Sequence, residues 1–159
     1  MGITAREATL EDARLIAELT RAAWAGKVAG TSSGHRETEA NALAHLRSGG
    51  GFILQVDGIP AGSVRWTPLD DDPGVWEIMR MGVLPRHRGN NLSQYLLEAV
   101  IHQALASNVG ELRLAVRADQ PRLLDFYAAF GFEIAPELEY SHANPMEPPP
   151  VVMRRKLGR

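Results

Sequence analysis

The stretch Met81-Gly82-Val83-Leu84-Pro85-Arg86-His87-Arg88-Gly89-Asn90-Asn91-Leu92-Ser93 constrains this chain more than any other part of it. It reads as the end of a strand, then a tight turn of residues that tolerate unusual backbone angles. The turn runs straight into the helix-forming segment Gln94-Tyr95-Leu96-Leu97-Glu98-Ala99. A turn of this kind at a helix N-terminus collects several free N–H groups and the positive end of a helix dipole. That combination is a site for phosphate.

The remaining segments place this turn in a mixed architecture. Ile3 to Arg6 reads as a short strand, and Thr9-Leu10-Glu11-Asp12 has the form of a capping box with Thr9 as N-cap. Ala13, Ile16, Ala17, Thr20, Ala23 and Trp24 follow at helical spacing. Gly26 to Gly34 is a loop, Thr38 to Arg47 a second helix, and Gly49-Gly50-Gly51 its stop. Phe52 to Val56 and Ile59 to Thr67 are strands joined at Asp57-Gly58, a hairpin turn signal. Val75 to Val83 is a third long strand after the acidic turn Pro68 to Gly74.

Leu92 to Ser107 is the strongest helix. Its polar stripe is only Gln94, Glu98 and His102, so most of its girth is expected to pack on a sheet. Glu111 to Val116 alternates as a strand. A helix then starts at Pro121, runs to Phe130 and is capped by Gly131. Phe132 to Ile134 is a strand, Glu137 to Pro150 a Pro-rich loop, and Val151 to Leu157 a final strand. The order is β-α-α-β-β-β-α-β-α-β-β, an α/β fold of α+β flavour in one domain spanning 1–159.

Composition removes several function classes. A formal net charge of −2 gives no electrostatic case for nucleic acid. With no cysteine there is no disulfide framework, no thiolate nucleophile and no Cys-based zinc site. The histidines His35, His45, His87, His102 and His142 show no metal-ligand spacing, so no metal is expected. No apolar run approaches the roughly 18 residues that span a bilayer, and Met1 to Glu7 lacks a signal-peptide pattern. The expected location is cytoplasmic, with no membrane partner.

Two motifs carry a family resemblance. Val83 to Ser93 resembles motif A of the GNAT superfamily of acetyl-CoA-dependent N-acetyltransferases, a strand ending in Val-x-Pro followed by Arg/Gln-x-x-Gly-x-Gly/Ala. Arg88, Asn91 and Ser93 occupy its written positions, with Gly89 and Asn90 between them. Asn91 replaces the usual central Gly, and Asn is the non-Gly residue that best tolerates left-handed angles. Ser93 replaces the final Gly or Ala. Leu114-Ala115-Val116, then Gln120-Pro121-Arg122-Leu123-Leu124-Asp125-Phe126-Tyr127 and Gly131-Phe132, resembles motif B, with Gln120 in the place of an Asn.

The resemblance covers nearly the whole chain. It implies a mixed central sheet of about six to seven strands, splayed between strands four and five. It also implies acetyl-CoA as co-substrate, held by Met81, Gly82, Val83, Arg88, Gly89, Asn90, Asn91, Leu92, Ser93 and Gln120. Arg86 and Arg122 are further candidates to reach the CoA phosphates.

Acetyl transfer from a thioester to an amine needs a deprotonated amine, donors for the oxyanion, and a proton for the leaving thiolate. The resemblance assigns the acid to Tyr127, whose phenol has a reference pKa near 10. It assigns the base to Glu77 on the fourth strand. Alternation puts Glu77, Met79 and Met81 on one strand face. Direct attack in a ternary complex fits a chain without cysteine. A small-molecule amine is the first expected acceptor, and a protein N-terminus or lysine the second. The alternative is a non-catalytic acyl-CoA-binding sensor or subunit. Trp24 is a candidate wall of the acceptor pocket, Trp66 a core residue, and Arg154-Arg155-Lys156 a solvated strand end. The family resemblance makes a homodimer an expectation.

Overall fold

The computed structural model describes residues 2–25, 33–141 and 144–158. It contains β1 (Ile3–Glu7), α1 (Ala13–Trp24), α2 (Glu39–Ser48), β2 (Gly50–Val56), β3 (Ile59–Pro68) and β4 (Val75–Val83). These are followed by α3 (Ser93–Ala106), β5 (Glu111–Val116), α4 (Leu123–Ala128), β6 (Glu133–Ile134) and β7 (Val151–Lys156). The seven strands form one sheet in the order β1-β2-β3-β4-β5-β7-β6. All pairings are antiparallel except β4 with β5. This is the element order and the mixed sheet expected from the sequence. No helix among the described residues is long and apolar enough to cross a membrane.

Local chemistry explains the elements. Asp57 (φ 52°) and Gly58 (φ 81°) both take left-handed angles, as a two-residue hairpin turn requires. Phe132 N–H reaches Tyr127 C=O at 3.2 Å, and Gly131 N–H reaches Ala128 C=O at 3.0 Å, around Gly131 at φ 88°. That is a Schellman stop, so the glycine caps α4 as expected. The helix itself is shorter than its pattern, because Gln120 to Leu124 form turns of three-residue bonds before Leu123.

The glycine run after α2 stops the helix and then enters β2. Gly50 lies under the Trp66 ring, where an added Cβ would sit 2.5 Å from Cζ2. Arg154 and Arg155 are not simply solvated. Arg154 Nη1 pairs with Glu137 at 2.9 Å, and Arg155 Nη1 donates to Phe130 C=O at 2.8 Å.

The two faces of the sheet differ. On one, Leu96, Leu97, Val100 and Ala104 of α3 pack with Leu54, Val64, Trp66, Ile78, Leu112 and Met153, all buried. The expected apolar girth of α3 is accounted for here. On the other, α1 and α2 pack through Ile16, Ala17, Ala42 and Leu46 onto Ile53.

That second face also buries charge. The Arg65 and Glu37 side chains are each 0% exposed and form an ion pair. Arg65 Nη2 donates to Thr20 Oγ1 at 3.0 Å, and its Nη1 lies 3.1 Å from His45 Nδ1. Arg65 Nε is buried without a partner. Glu37 also accepts from Asn41 Nδ2 at 3.1 Å and from Arg80 Nε at 3.2 Å. Burial would raise the Glu37 pKa, but the charges and hydrogen bonds of Arg65 and Arg80 outweigh it and hold the carboxyl below its ordinary range.

Removing one partner of a buried pair strands the other charge. Glu37→Ala is therefore expected to lose about 3–5 kcal/mol of unfolding free energy in denaturant titration. The depressed Glu37 pKa makes a contribution complete above about pH 4.3, the unfolded value, and lost as pH falls through the folded one. The acid limb of the stability profile should accordingly be shallower in the variant.

Candidate active site

The site begins where β4 and β5 part. Their parallel ladder covers only Val75–Glu77 against Glu111–Arg113. Beyond it, Ile78 to Val83 has β3 on one side and no paired strand on the other. The gap is a cleft of about 430 Å³ walled by Ile78 to Met81 of β4 and Leu114 to Val116 of β5. Arg117 to Asp119, Leu123 and Tyr127 continue the wall, and Tyr140, Asn144, Glu147, Pro148 and Pro150 close it. The expected splay is present, and the Pro-rich segment borders it.

β4 carries a bulge at this point. Met79 pairs with Arg65 and Gly82 with Ser63, so two residues of β4, Arg80 and Met81, stand opposite Val64. Arg80 takes φ 55°, a left-handed angle that is strained for an arginine. The bulge corrects the simple alternation expected for Glu77, Met79 and Met81. Met81 turns to the core that contains α3, and Gly82 takes its place under α1. An added Cβ at Gly82 would meet Trp24 Cζ3 at 2.7 Å and Ala23 Cβ at 2.9 Å. Glycine thus lets Trp24 lie across β4, where it lines the cleft. Val83 is buried in the main core.

The turn into α3 has the geometry proposed from its residues. Gly89 (φ 87°) and Asn91 (φ 55°) both adopt left-handed angles, so asparagine does replace the usual glycine. Among the described residues, the amides of Gly89, Asn90, Asn91, Leu92 and Ser93 donate to no other backbone group. Leu92, the N-cap, supplies no side-chain cap. Arg88 has a contact within the fold. Its Nη2 donates to Ala23 C=O, which ties the turn to the end of α1, and burial lowers its pKa. Gln120 sits in a turn, with its N–H on Arg117 C=O at 2.9 Å. It is not in the cleft wall, whereas its neighbours Arg117 to Asp119 are.

Tyr127 reaches the cleft from α4, and its ring is packed edge-on against Phe126 at 5.1 Å and Phe132 at 6.0 Å. Its hydroxyl has no hydrogen-bond partner among the described residues. Burial pushes the phenol pKa up, so it holds its proton at neutral pH.

Glu77 is placed differently. It is 1% exposed and accepts from both the N–H (3.2 Å) and the hydroxyl of Ser141. It stands behind the wall rather than in it. Tyr140 precedes Ser141 in the chain. It lines the cleft, donates to Ile78 C=O at 3.4 Å, and has its phenol pKa raised by burial and then by the charge of Glu77.

Several of these groups were not foreseen from sequence. Arg117 is held between Asp119 (3.1 and 2.9 Å) and Glu147 (3.0 Å) at the cleft wall. The Glu37–Arg65–Arg80 cluster lies beneath the bulge. A charged Arg65 between Val64 and Trp66 in a central strand was the available signal of a buried partner. His142, and the Gly26 to Gly34 loop up to residue 32, lie outside the described residues.

Comparisons with known proteins agree with this geometry. The chain matches the acetyltransferase (GNAT) family model over residues 13–132. No curated protein matches it in sequence. Among solved structures it is similar to the PaiA N-acetyltransferase of Thermoplasma acidophilum in complex with coenzyme A. There the identity is 16% and the TM-score 0.76, with 99% of this chain and 100% of that one covered.

A GNAT-family acetyltransferase from Streptococcus pneumoniae gives 22% identity and a TM-score of 0.74, with 99% and 100% covered. A phosphinothricin acetyltransferase from Sinorhizobium meliloti in complex with acetyl-CoA gives 19% identity and a TM-score of 0.77, with 99% and 90% covered. Matched by the family model over most of its length, the chain belongs to the acetyltransferase (GNAT) family.

Proposed function

We propose that the protein is an acetyl-CoA-dependent N-acetyltransferase, moving the acetyl group to a primary amine by direct attack in a ternary complex, with a small molecule as acceptor. The observation that carries this reading is the phenol of Tyr127, without a hydrogen-bond partner among the described residues, on the wall of the cleft opened by β4 and β5.

The residues present suit the coenzyme. Five amides from Gly89 to Ser93, without backbone partners among the described residues, stand at the positive end of α3 and can receive a diphosphate. Acetyl-CoA, when bound, supplies the activated thioester carbonyl. The edge of β4 beyond Glu77 has no strand partner, and its amides serve as donors for the oxyanion. Tyr127 gives its proton to the departing thiolate. Burial keeps that phenol neutral, so its role is as an acid. Glu77 is the base of this reading and takes the amine's proton; Ser141 holds its carboxylate, and Tyr140, the residue before Ser141, lines the cleft. A concave cleft of about 430 Å³, walled in part by Trp24, Met79 and Met81, suits a small acceptor.

Tyr127→Phe is expected to lower kcat by about ten- to ten-thousand-fold with acetyl-CoA affinity unchanged. Equal turnover in a thiol-release assay would remove Tyr127 from the mechanism. Glu77→Gln should lower kcat while leaving the KM for acetyl-CoA unchanged, and a wild-type rate would make water alone the proton acceptor. Asn91→Pro deletes an amide and forbids φ 55°. By calorimetry it should weaken acetyl-CoA binding by about tenfold or more.

A further inference from the structure

Two guanidiniums belong to the cleft, and they differ in what they have left to give. Arg117 is occupied by two carboxylates, Asp119 and Glu147. Arg80 is held at one edge only. Its Nε donates to Glu37 Oε2 at 3.2 Å, and its two terminal nitrogens have no partner among the described residues. The side chain is 17% exposed and lines the cleft.

Glu37 cannot move to cover it. The carboxylate is 0% exposed and is fixed by Arg65 and Asn41 on its other oxygen. Arg80 stands in the bulge at φ 55°, with its Nε on Glu37 and its side chain on the cleft wall. A guanidinium secured through Nε presents its planar fork of donors outward, the shape that binds a carboxylate with two parallel hydrogen bonds.

The other charges near this fork are accounted for. Asp119 and Glu147 face Arg117, and Glu77 is held by Ser141. Trp24, Met79, Met81, Pro148 and Pro150 make the surrounding wall apolar.

We propose that Arg80 anchors a carboxylate of the acceptor, so that the amine acetylated here belongs to a free amino acid with an apolar side chain. This rests on the acetyl-transfer reading above and adds the acceptor's chemical class. Glu37 is then a positioning residue, and Arg80 a binding residue.

The test is calorimetric titration of the CoA-loaded protein with N-acetylmethionine, N-acetylleucine and N-acetylphenylalanine, beside their carboxamides. These probes carry the group at issue and need no turnover. At least one acid is expected to bind about ten- to hundredfold tighter than its amide, the range of a charge-assisted pair. Arg80→Met should close that gap, and Arg80→Lys should keep part of it.

Kinetics should follow the same line. With whichever amino acid shows thiol release, Arg80→Met should raise the acceptor KM by the same factor and leave the acetyl-CoA KM as it was. Equal affinities for acids and amides, no binding of any acid, or a gap that survives Arg80→Met would each overturn the proposal. Should Arg80→Met fail to fold, the wild-type gap and its size in Arg80→Lys decide alone. Absence of coenzyme A binding at the outset would instead overturn the transfer reading, and this proposal with it.

Discussion

Everything about this site depends on a strand pairing that stops early. β4 and β5 hold each other for three registered pairs and then separate. Hydrogen bonding normally closes a sheet edge, because unpaired amides and carbonyls are costly when shut away from solvent. Here β5 compensates by pairing along its full length with β7 on its other side. β4 compensates by pairing with β3 as far as Val83. Each strand is secured by its outer neighbour, so the inner edges can stay open. The cleft is therefore a product of topology before any side chain contributes to it.

The buried charges beneath β4 serve that opening. A sheet face with Arg65 and Glu37 fully enclosed would be no less stable with well-packed apolar residues of the same volume. What the ionic cluster adds is direction. Thr20 from α1, Glu37 and His45 from around α2, and Arg65 from β3 converge at one point below the bulge. Among them Glu37 also holds Arg80, which stands at a backbone angle that few residues adopt. Gly82 then lets α1 approach closely enough for Trp24 to cross the strand. Fold energy and site geometry are joined here by one set of contacts.

Much of this was written in the chain. The period of α3, the Asp57-Gly58 hairpin, the Gly131 stop and the left-handed Asn91 all depend on local rules, and local rules can be read from neighbouring residues. The turn before α3 could be placed for the same reason. The bulge could not. Nothing in Met79-Arg80-Met81 announces that two residues will face one, because a register shift is settled by the partner strand and by Glu37, 43 positions away. The lodging of Glu77 behind Ser141, 64 positions on, was hidden by the same distance. Arg88 was legible as a motif residue but not in its contact with Ala23, which depends on how α1 ends against the turn.

The first turn of α3 has a consequence of another kind. Most helices end their amides on a side-chain cap, which completes the helix within the chain itself. This one begins at Leu92, which contributes no such bond. In the acetyl-transfer reading proposed above, the coenzyme's diphosphate would complete it, and part of the folding free energy would then reside in the ligand. A protein that keeps such an account with its coenzyme grows more stable as the coenzyme accumulates, by about 2.7 kcal/mol at a hundredfold excess over the dissociation constant. On that reading, the missing cap makes resistance to unfolding rise with the concentration of acetyl-CoA.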